Sequence, residues 1–402
     1  MKIKGIIFSL LLSAIYILPV MAQKIAPDTG IEFYGDTIKF TFDKCGVVEF
    51  NDSLSTSSIE KFYTKISAAN YDSLVRDMVA YKNKHNPDDW VFYQLIRRVA
   101  QQISPKAENY RRYTLYKWYL LNKCGYDASL NIAGNKLLLY AQCDENIYDI
   151  PYYKRDNKQY VCLNYHDYGA VSMSATKFIE IPAQAPEATH TFSYRLTQLP
   201  TFRPEDYKEK SLEFNYNDMT YSFKIKVNAE VKKIFTNYPV ADYQLYFNAP
   251  LSSETYNSLI PQLRKNIRGM STKNGVDYLM RFTRYALQYE PDEQNFGKEK
   301  RLSPEQTLLY EYSDCEDHAA LFYYLVKEIY NLPMIVLEYP KHLTIAVKFD
   351  KPVGKPIVYG GNTYSICEPT PQDQDLPLGR ISAELSSTSY QIAYAYDPAS
   401  KK

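Results

Sequence analysis

Residues 312–321 read Tyr-Ser-Asp-Cys-Glu-Asp-His-Ala-Ala-Leu, and this stretch decides how the rest of the chain is interpreted. Asp314 is a favourable N-cap, and the apolar residues after it predict a helix that begins at Cys315. A helix N-terminus favours the thiolate, which is the nucleophilic form of cysteine. The neighbouring acids oppose this effect unless they cap the helix or point outward. The segment therefore predicts Cys315 as a nucleophile at the start of a helix.

A histidine and a carboxylate follow Cys315 on successive predicted strands. His342 opens the apolar run 343–347, and Glu368 closes the run 364–367. A histidine at a strand start can direct its imidazole towards the helix N-terminus, while the carboxylate accepts from the other ring nitrogen. Singly, each residue also fits a structural role as a buried cysteine, a satisfied histidine or a turn acid. Together, in this order, they predict a catalytic triad of Cys315, His342 and Glu368.

The block around Cys315 resembles the transglutaminase-like cysteine domain, a family with a papain-like fold. Residues 304–308 read Pro-Glu-Gln-Thr-Leu, where the family has Pro-x-x-Thr-Leu, and residues 313–317 read Ser-Asp-Cys-Glu-Asp, where it has Gly-Asp-Cys-x-Asp. The resemblance covers roughly residues 250–375. It implies Cys315 as nucleophile, His342 as base and Glu368 as third member. It also implies acyl transfer through a thioester, as in the family's cross-linking enzymes and its bacterial peptidases and amidases.

Three positions depart from the family pattern. Ser313 replaces the usual glycine, which a turn tolerates where φ stays negative. Glu368 replaces an aspartate and lengthens the arm towards the histidine by one methylene. Leu343 and Thr344 stand where an aromatic residue often follows the histidine. Activity at this site is therefore an expectation that needs an experiment.

The N-terminus is typical of an export signal. Lys2 and Lys4 precede the apolar stretch 5–20, and the small residues at its end predict cleavage after Ala22. The stretch is shorter than the ~20 residues that span a bilayer, which favours cleavage over a retained signal anchor. We expect a signal peptide at 1–22 and a periplasmic or secreted protein without a stable membrane anchor.

Charge and composition exclude one class of partner. The chain has 47 Lys+Arg against 46 Asp+Glu and no basic block, so we expect no nucleic-acid partner. The 40 tyrosines fit half-buried strand and helix faces, and they also fit a tyrosine-lined binding groove.

Cysteine spacing predicts neither a disulfide scaffold nor a zinc site. The chain has 6 cysteines, too few to build a small exported fold around disulfides, and it has no Cys-x-x-Cys pair. Acids near Cys315, together with Asp292 and Glu293, raise the alternative of a calcium-dependent site. They lack the alternating oxygen spacing of a calcium loop, so the sequence predicts no metal and no cofactor.

Periodicity predicts an α+β fold with three parts after the signal. Residues 23–178 read as an N-terminal α+β domain, and residues 179–245, punctuated by prolines, as a β-rich connecting segment. Residues 246–402 read as the transglutaminase-like catalytic domain. The order helix, strand, strand, strand occurs in the first and third parts, which indicates either an inactive N-terminal duplicate or the coincidence of a common pattern.

The chemistry is missing from the first copy. The equivalents of Cys315 and His342 fall near Asn109 (or Glu108) and at Lys136, and that of Glu368 falls at Leu163. None of these side chains can replace its counterpart, so the first copy is predicted to be structural.

These observations predict an exported cysteine-dependent acyl-transfer enzyme that hydrolyses a peptide or peptidoglycan-type amide. Export favours water over an amine as the acceptor. The alternative is a catalytically silent binding or scaffold protein with a tyrosine-rich recognition surface.

Overall fold

The computed structural model describes residues 30–40, 46–169 and 178–401. Within these ranges the chain is a mixed α+β protein, as predicted, built on two five-stranded antiparallel sheets. The predicted signal peptide, its cleavage site and Cys45 lie outside the described residues. Among the helices in these ranges, none has the length and apolar character needed to cross a bilayer.

The first part contains a small hairpin, four helices and the first large sheet. Its elements are β1 (Gly30–Phe33), β2 (Asp36–Lys39), α1 (Thr56–Ser67), α2 (Asp72–His85), α3 (Asp89–Ile103), α4 (Tyr110–Lys123), β3 (Ala128–Ala133), β4 (Lys136–Gln142), β5 (Tyr152–Arg155), β6 (Lys158–Cys162) and β7 (Phe178–Glu180). Asn109 caps α4 by accepting from the Arg112 backbone N–H at 3.0 Å. That cap fixes where the helix beneath the sheet begins.

The connecting segment is less regular than the expected β-rich module. Residues 182–203, all of them described, form no helix or strand, and the prolines at 182, 186 and 200 remove backbone donors there. Its regular elements are β8 (Tyr207–Tyr216), β9 (Met219–Asn228), α5 (Glu230–Ile234) and α6 (Tyr243–Phe247).

The third part carries the predicted site and the second large sheet. Its elements are α7 (Ser253–Asn266), α8 (Thr272–Tyr285), β10 (Gln288–Tyr289), α9 (Asp292–Asn295), α10 (Pro304–Leu309), β11 (Tyr312–Ser313), α11 (Cys315–Tyr330), β12 (Met334–Tyr339), β13 (His342–Val347), β14 (Ile357–Tyr359), β15 (Asn362–Cys367), α12 (Ala383–Ser387) and β16 (Gln391–Tyr396). Short 3₁₀ helices lie at Tyr165–Asp167, Pro204–Asp206 and Pro398–Lys401.

The two large sheets have the same topology. Their strand orders are β5-β6-β4-β3-β7 and β14-β15-β13-β12-β16, so each strand of the first has a counterpart at the same place in the second. In both, a helix leads into a hairpin, a second hairpin extends one side, and a last strand pairs on the other. The predicted duplication requires this arrangement, and the common origin of the halves stays a prediction.

Strand pairing aligns the two copies residue by residue. Lys136 faces Ala133 across the first hairpin, and His342 faces Tyr339 across the second. Lys136 therefore takes the place of His342, as expected.

The position equivalent to Glu368 was predicted one residue too early. On β4, the residue four positions after Lys136 pairs with Cys162 on β6. On β13, the residue four positions after His342 pairs with Ile366 on β15. Two residues further on, Asn164 and not Leu163 occupies the place of Glu368. The prediction matched residues of similar type, whereas the hydrogen bonds between the strands determine which positions of the two sheets are equivalent.

Asn164 has a structural role. It is buried, its Oδ1 accepts from the Leu139 backbone N–H at 2.8 Å, and its Nδ2 donates to Leu137 O at 3.0 Å and to the Tyr110 hydroxyl at 2.9 Å. A lysine and an amide cannot act as an imidazole and a carboxylate. The first sheet therefore lacks the predicted chemistry at Lys136 and Asn164.

One hydrophobic core runs through all three parts. Trp90 of α3 donates through Nε1 to Ile234 O at 2.7 Å, and its ring contacts that of Tyr238. Phe247 of α6 in turn contacts Tyr323 of α11, with ring centroids 5.3 Å apart. The helix that carries Cys315 is thus connected through aromatic packing to the N-terminal helices.

Candidate active site

Helix α11 begins at Cys315 because Asp314 caps it. The Asp314 carboxylate accepts from the backbone N–H groups of Glu316 at 3.0 Å and Asp317 at 3.3 Å. The Asp317 side chain accepts from the Asp314 N–H at 3.3 Å in return, which completes a capping box. Cys315 therefore occupies the first helical position, as predicted, where the helix dipole is positive.

The lead-in segment holds this turn in place. Ser303 caps α10 through a capping box with Gln306, and the N–H of Leu302 donates to Asp317 Oδ1 at 2.8 Å. Glu305 is fully buried and accepts from the Ser252 hydroxyl at 2.6 Å. Residues 302–305, which overlap the Pro-x-x-Thr-Leu stretch, therefore tie the start of α11 to the start of α7.

His342 and Glu368 form the predicted pair. Strand β13 begins at His342, β15 ends just before Glu368, and the imidazole Nε2 lies 2.7 Å from Glu368 Oε2. Glu368 is 1% exposed, and its Oε1 accepts from the Thr370 backbone N–H at 2.9 Å. Both carboxylate oxygens are therefore held, and Nδ1 is the ring nitrogen left to face a thiol.

Arg284 fixes the backbone of Glu368 and was not identified from the sequence. Its buried guanidinium donates through Nε to Glu368 O at 3.1 Å and again through Nη2. The same guanidinium donates to Asp375 Oδ1 at 2.9 Å. Arg284 lies on α8, and only the packing of that helix on the end of β15 brings it to the site.

The thiol of Cys315 lies beside the histidine strand. The backbone N–H of Leu343, the residue after His342, lowers the pKa of the thiol, and Glu368 lies close enough to raise it electrostatically. The structure thus brings the three predicted residues to one end of the second sheet, where α11 meets β13.

Burial and neighbouring acids keep the thiol protonated. Cys315 is 8% exposed, and burial followed by the charge of Asp314 raises its pKa, with smaller effects of Glu316 and Glu368 in the same direction. The Leu343 N–H opposes them. Asp314 caps the helix, but its charge still raises the pKa of the neighbouring thiol.

A catalytic thiol is expected to lie in an open cleft, but the thiol of Cys315 is nearly as buried as that of Cys367. The latter is fully buried in the main core, as strand alternation predicts, and burial raises its pKa well above the usual value. Ile366 points to the opposite face and belongs to a separate apolar cluster.

His318 has a structural environment. It is fully buried, and its Nδ1 lies 2.7 Å from Asp314 O, one helical turn earlier. Burial lowers the pKa of the imidazole to about 4, so it is neutral at physiological pH. Its Nε2 has no hydrogen-bond partner among the described residues.

Tyr289 is a second residue that sequence reasoning missed. It pairs with Ser313 in the parallel bridge between β10 and β11, which places it one residue from the helix cap. Burial, followed by the charges of Cys315 and Asp314, raises the pKa of Tyr289 to about 12. A protonated phenol that remains 43% exposed therefore stands beside the thiol.

Three carboxylates near the helix cap are the groups best placed to hold a metal ion. Asp292, Glu299 and Asp314 each offer an oxygen, and these oxygens lie within 4.8 Å of one another. The chain segment from α9 to α10 supplies the first two. Their spacing in the sequence carries no motif, because the third comes from the cap of α11.

Comparison of the chain with protein-family models, curated proteins and solved structures finds no match. Membership of the transglutaminase-like family therefore stays a prediction from residues 304–308 and 313–317.

Proposed function

We propose that the protein is an exported cysteine-dependent acyl-transfer enzyme with a transglutaminase-like catalytic unit, and that it hydrolyses a peptide or peptidoglycan-type amide. One observation carries the proposal: His342 and Glu368 are paired at 2.7 Å, and Glu368 lies close enough to Cys315, the first residue of α11, to act on its thiol electrostatically. A buried carboxylate against an imidazole beside a thiol is the arrangement that a nucleophile, base and orienting acid require.

In the proposed reaction, Cys315 Sγ attacks the carbonyl carbon of the amide. The thiol proton passes to Nδ1 of His342 as the sulfur–carbon bond forms, and Glu368 stabilises the resulting imidazolium. The oxyanion faces the backbone N–H of Cys315 at the positive end of α11. The Tyr289 hydroxyl is a candidate second donor, since its raised pKa keeps its proton in place.

The tetrahedral intermediate then loses the amine. The carbon–nitrogen bond breaks, and the imidazolium of His342 gives its proton to the leaving nitrogen. Water attacks the thioester while His342 takes its proton as general base, and the carbon–sulfur bond breaks. The carboxylic acid leaves, and the imidazolium of His342 returns its proton to the sulfur of Cys315. Because the thiol is protonated at rest, its deprotonation belongs to the attack step itself.

The substrate class rests on the location implied by residues 1–22. An exported bacterial-type protein meets water and cell-wall amides, and a balanced surface charge gives no reason to expect an acidic polymer as substrate. Hydrolysis is therefore favoured over transfer to an amine.

Thiol labelling and turnover together test the proposal. We expect iodoacetamide to modify Cys315 at least 10-fold faster than Cys367, because only the former lies beside a base. Cys315→Ala should abolish release of new carboxyl or amino groups from purified peptidoglycan and from casein peptides. Cys367→Ala, the matched loss of a buried thiol, should retain it. Turnover that survives Cys315→Ala would overturn the assignment.

A catalytically silent binding protein is the second candidate, and the burial of Cys315 favours it. The thiol is 8% exposed and its acidic neighbours oppose ionisation, while several tyrosines, including Tyr148 and Tyr285, stay more than 40% exposed. In that case Cys315 and Cys367 should react with iodoacetamide at similar rates, and the Cys315→Ala protein should behave as the wild type does.

A further inference from the structure

One carboxylate on the loop that follows Glu368 accepts from three side chains of a single helix. Asp375 Oδ1 accepts from Arg284 Nη1 at 2.9 Å and from the Tyr285 hydroxyl at 2.7 Å, and Arg281 Nη1 donates to Oδ2. The second and third donors lie three and four positions after the first, so all three occupy one face of α8. Asp375 is therefore fixed to α8 although its side chain is 52% exposed.

Arg284 connects this carboxylate to the His342–Glu368 pair. Its side chain is fully buried, and its guanidinium donates through Nε and Nη2 to the backbone oxygen of Glu368. The third nitrogen, Nη1, donates to Asp375 and, at 3.0 Å, to Leu376 O. A buried cation requires an opposite charge, and Asp375 is the one acid that pairs with Arg284 among the described residues. Without that acid, the guanidinium would move towards water and away from Glu368.

The loop depends on this contact because it has no regular structure of its own. Residues 368–378 form no helix or strand. At one end, the Thr370 N–H donates to Glu368 Oε1 at 2.9 Å, and at the other, Leu378 is buried in the main core. Between those ends, the contacts of Asp375 hold the loop against α8.

We propose that Asp375 is a positioning residue for the His342–Glu368 pair and that it acts through Arg284. Donation by the guanidinium on both sides fixes the peptide group that follows Glu368, and with it the direction in which the Glu368 side chain leaves the end of β15. The carboxylate is thereby held 2.7 Å from His342 Nε2. The kinetic consequence of this inference rests on the proposed function, whereas the geometry can be measured without turnover.

The loop also contains a matched acid without this role. Residues 372–375 read Gln-Asp-Gln-Asp, so the sequence presents two acids in equivalent surroundings. Asp373 is exposed and forms no ion pair within the ranges that the structure describes. Only the packing of the loop on α8 distinguishes Asp375 from Asp373, and the two positions therefore give a paired comparison.

Nuclear magnetic resonance of His342 tests the geometry. In the full chain labelled with ¹⁵N-histidine, the ring nitrogens report which of them carries the proton, and His342→Gln assigns the resonance. At about pH 9, well above the usual pKa of histidine, we expect the proton on Nε2 because Glu368 accepts from that nitrogen. Asp375→Ala should shift the Nε2 resonance towards the average of the two tautomers. Asp373→Ala should leave it at the wild-type position.

Turnover gives the second readout, on purified peptidoglycan or casein peptides, whichever the wild type hydrolyses. Asp375→Ala should lower kcat roughly 10-fold with little change in KM, since a misplaced base slows the chemical step. Asp375→Glu keeps the charge and should recover most of the lost rate, and Asp373→Ala should match the wild type. A lower Tm of Asp375→Ala with an unchanged His342 resonance would overturn the proposal, because the ion pair would then be structural only. Equal shifts in the two alanine variants would overturn it as well.

This inference and the proposed function fail separately. If the wild type hydrolyses no amide while Asp375→Ala shifts the His342 resonance, the enzyme proposal fails and the link from Asp375 to the pair stands. If the wild type hydrolyses amides and Asp375→Ala matches it in both resonance and kcat, the positioning role fails and the enzyme proposal stands.

Discussion

Two opposing effects of unequal size act on the pKa of the Cys315 thiol. A helix N-terminus stabilises a nearby negative charge by about 1 kcal/mol, which is less than one pKa unit. Burial alone moves the pKa of an ionisable group by several units, and here the charge of Asp314 acts in the same direction as burial. The capped helix therefore does not produce a resting thiolate. In the proposed reaction, proton transfer to His342 during attack is the remaining route, and the His342–Glu368 contact would support that transfer.

Replacing the Glu368 carboxylate by an amide tests that role. Glu368→Gln keeps the size of the side chain but removes the charge that stabilises the imidazolium of His342, so kcat/KM should fall by roughly 100-fold or more. The Tm should change little, and kinetics on the peptide substrate of the proposed reaction give the measurement. Glu338→Gln, on the strand beside His342, is the matched control and should leave kcat/KM near that of the wild type. Equal rates for Glu368→Gln and wild type would remove Glu368 from the mechanism.

Some elements that carry the site could be predicted from the sequence, and others could not. Helix α11 and hairpin β12–β13 begin where a cap and an apolar run predicted them, because those signals are local. The His342–Glu368 pair followed from strand order. Arg284 on α8 and Tyr289 on β10 reach the site only through packing between distant segments, so no local pattern marks them. The connecting segment was expected to contain more strands than its prolines permit.

Helix α4, the counterpart of α11, carries a buried lysine with a testable pH dependence. Lys117 is 1% exposed, and burial, followed by the charge of Arg97, lowers its pKa to about 7. Lys106 adds a smaller effect in the same direction, and the charges of Asp167 and Cys162 oppose it. Above that pH the unfolded chain holds a proton that the folded chain has released, so stability rises with pH until the unfolded lysine also titrates. The penalty is complete below about pH 7 and is relieved as the pH rises.

Lys117→Met measures this penalty. The wild-type-minus-variant difference in the free energy of unfolding should increase by about 2 kcal/mol between pH 7 and pH 9. Urea titrations at both pH values supply the two differences. Lys123→Met removes a lysine from the same helix at a less buried position and serves as the control. A wild-type-minus-variant difference that stays constant with pH, or shrinks as the pH rises, would contradict the assignment.

In the whole molecule, the two matched sheets indicate two structural units, whereas the shared core joins them. Equal strand order indicates two units, which the sequence anticipated from a repeated element order. The core that links Trp90, Tyr238 and Tyr323 through α3, the connecting segment and α11 was not anticipated, because it depends on contacts between residues more than 70 positions apart. Two units that share one core should lose their structure together.

Both tryptophans of the chain, Trp90 and Trp118, lie in the first part, so their fluorescence reports on that part and on the connecting-segment residues that Trp90 contacts, but not on the third part directly. Leu325→Ala truncates a fully buried residue of α11 in the third part and should cost about 2–5 kcal/mol. If the molecule unfolds as one unit, urea unfolding followed by tryptophan fluorescence and by far-UV circular dichroism should shift by the same amount in this variant. Val358→Ala, at a position that is 72% exposed in the second sheet, should shift neither signal. A fluorescence transition that stays at its wild-type midpoint in Leu325→Ala would show that the N-terminal part unfolds independently of the helix that carries Cys315.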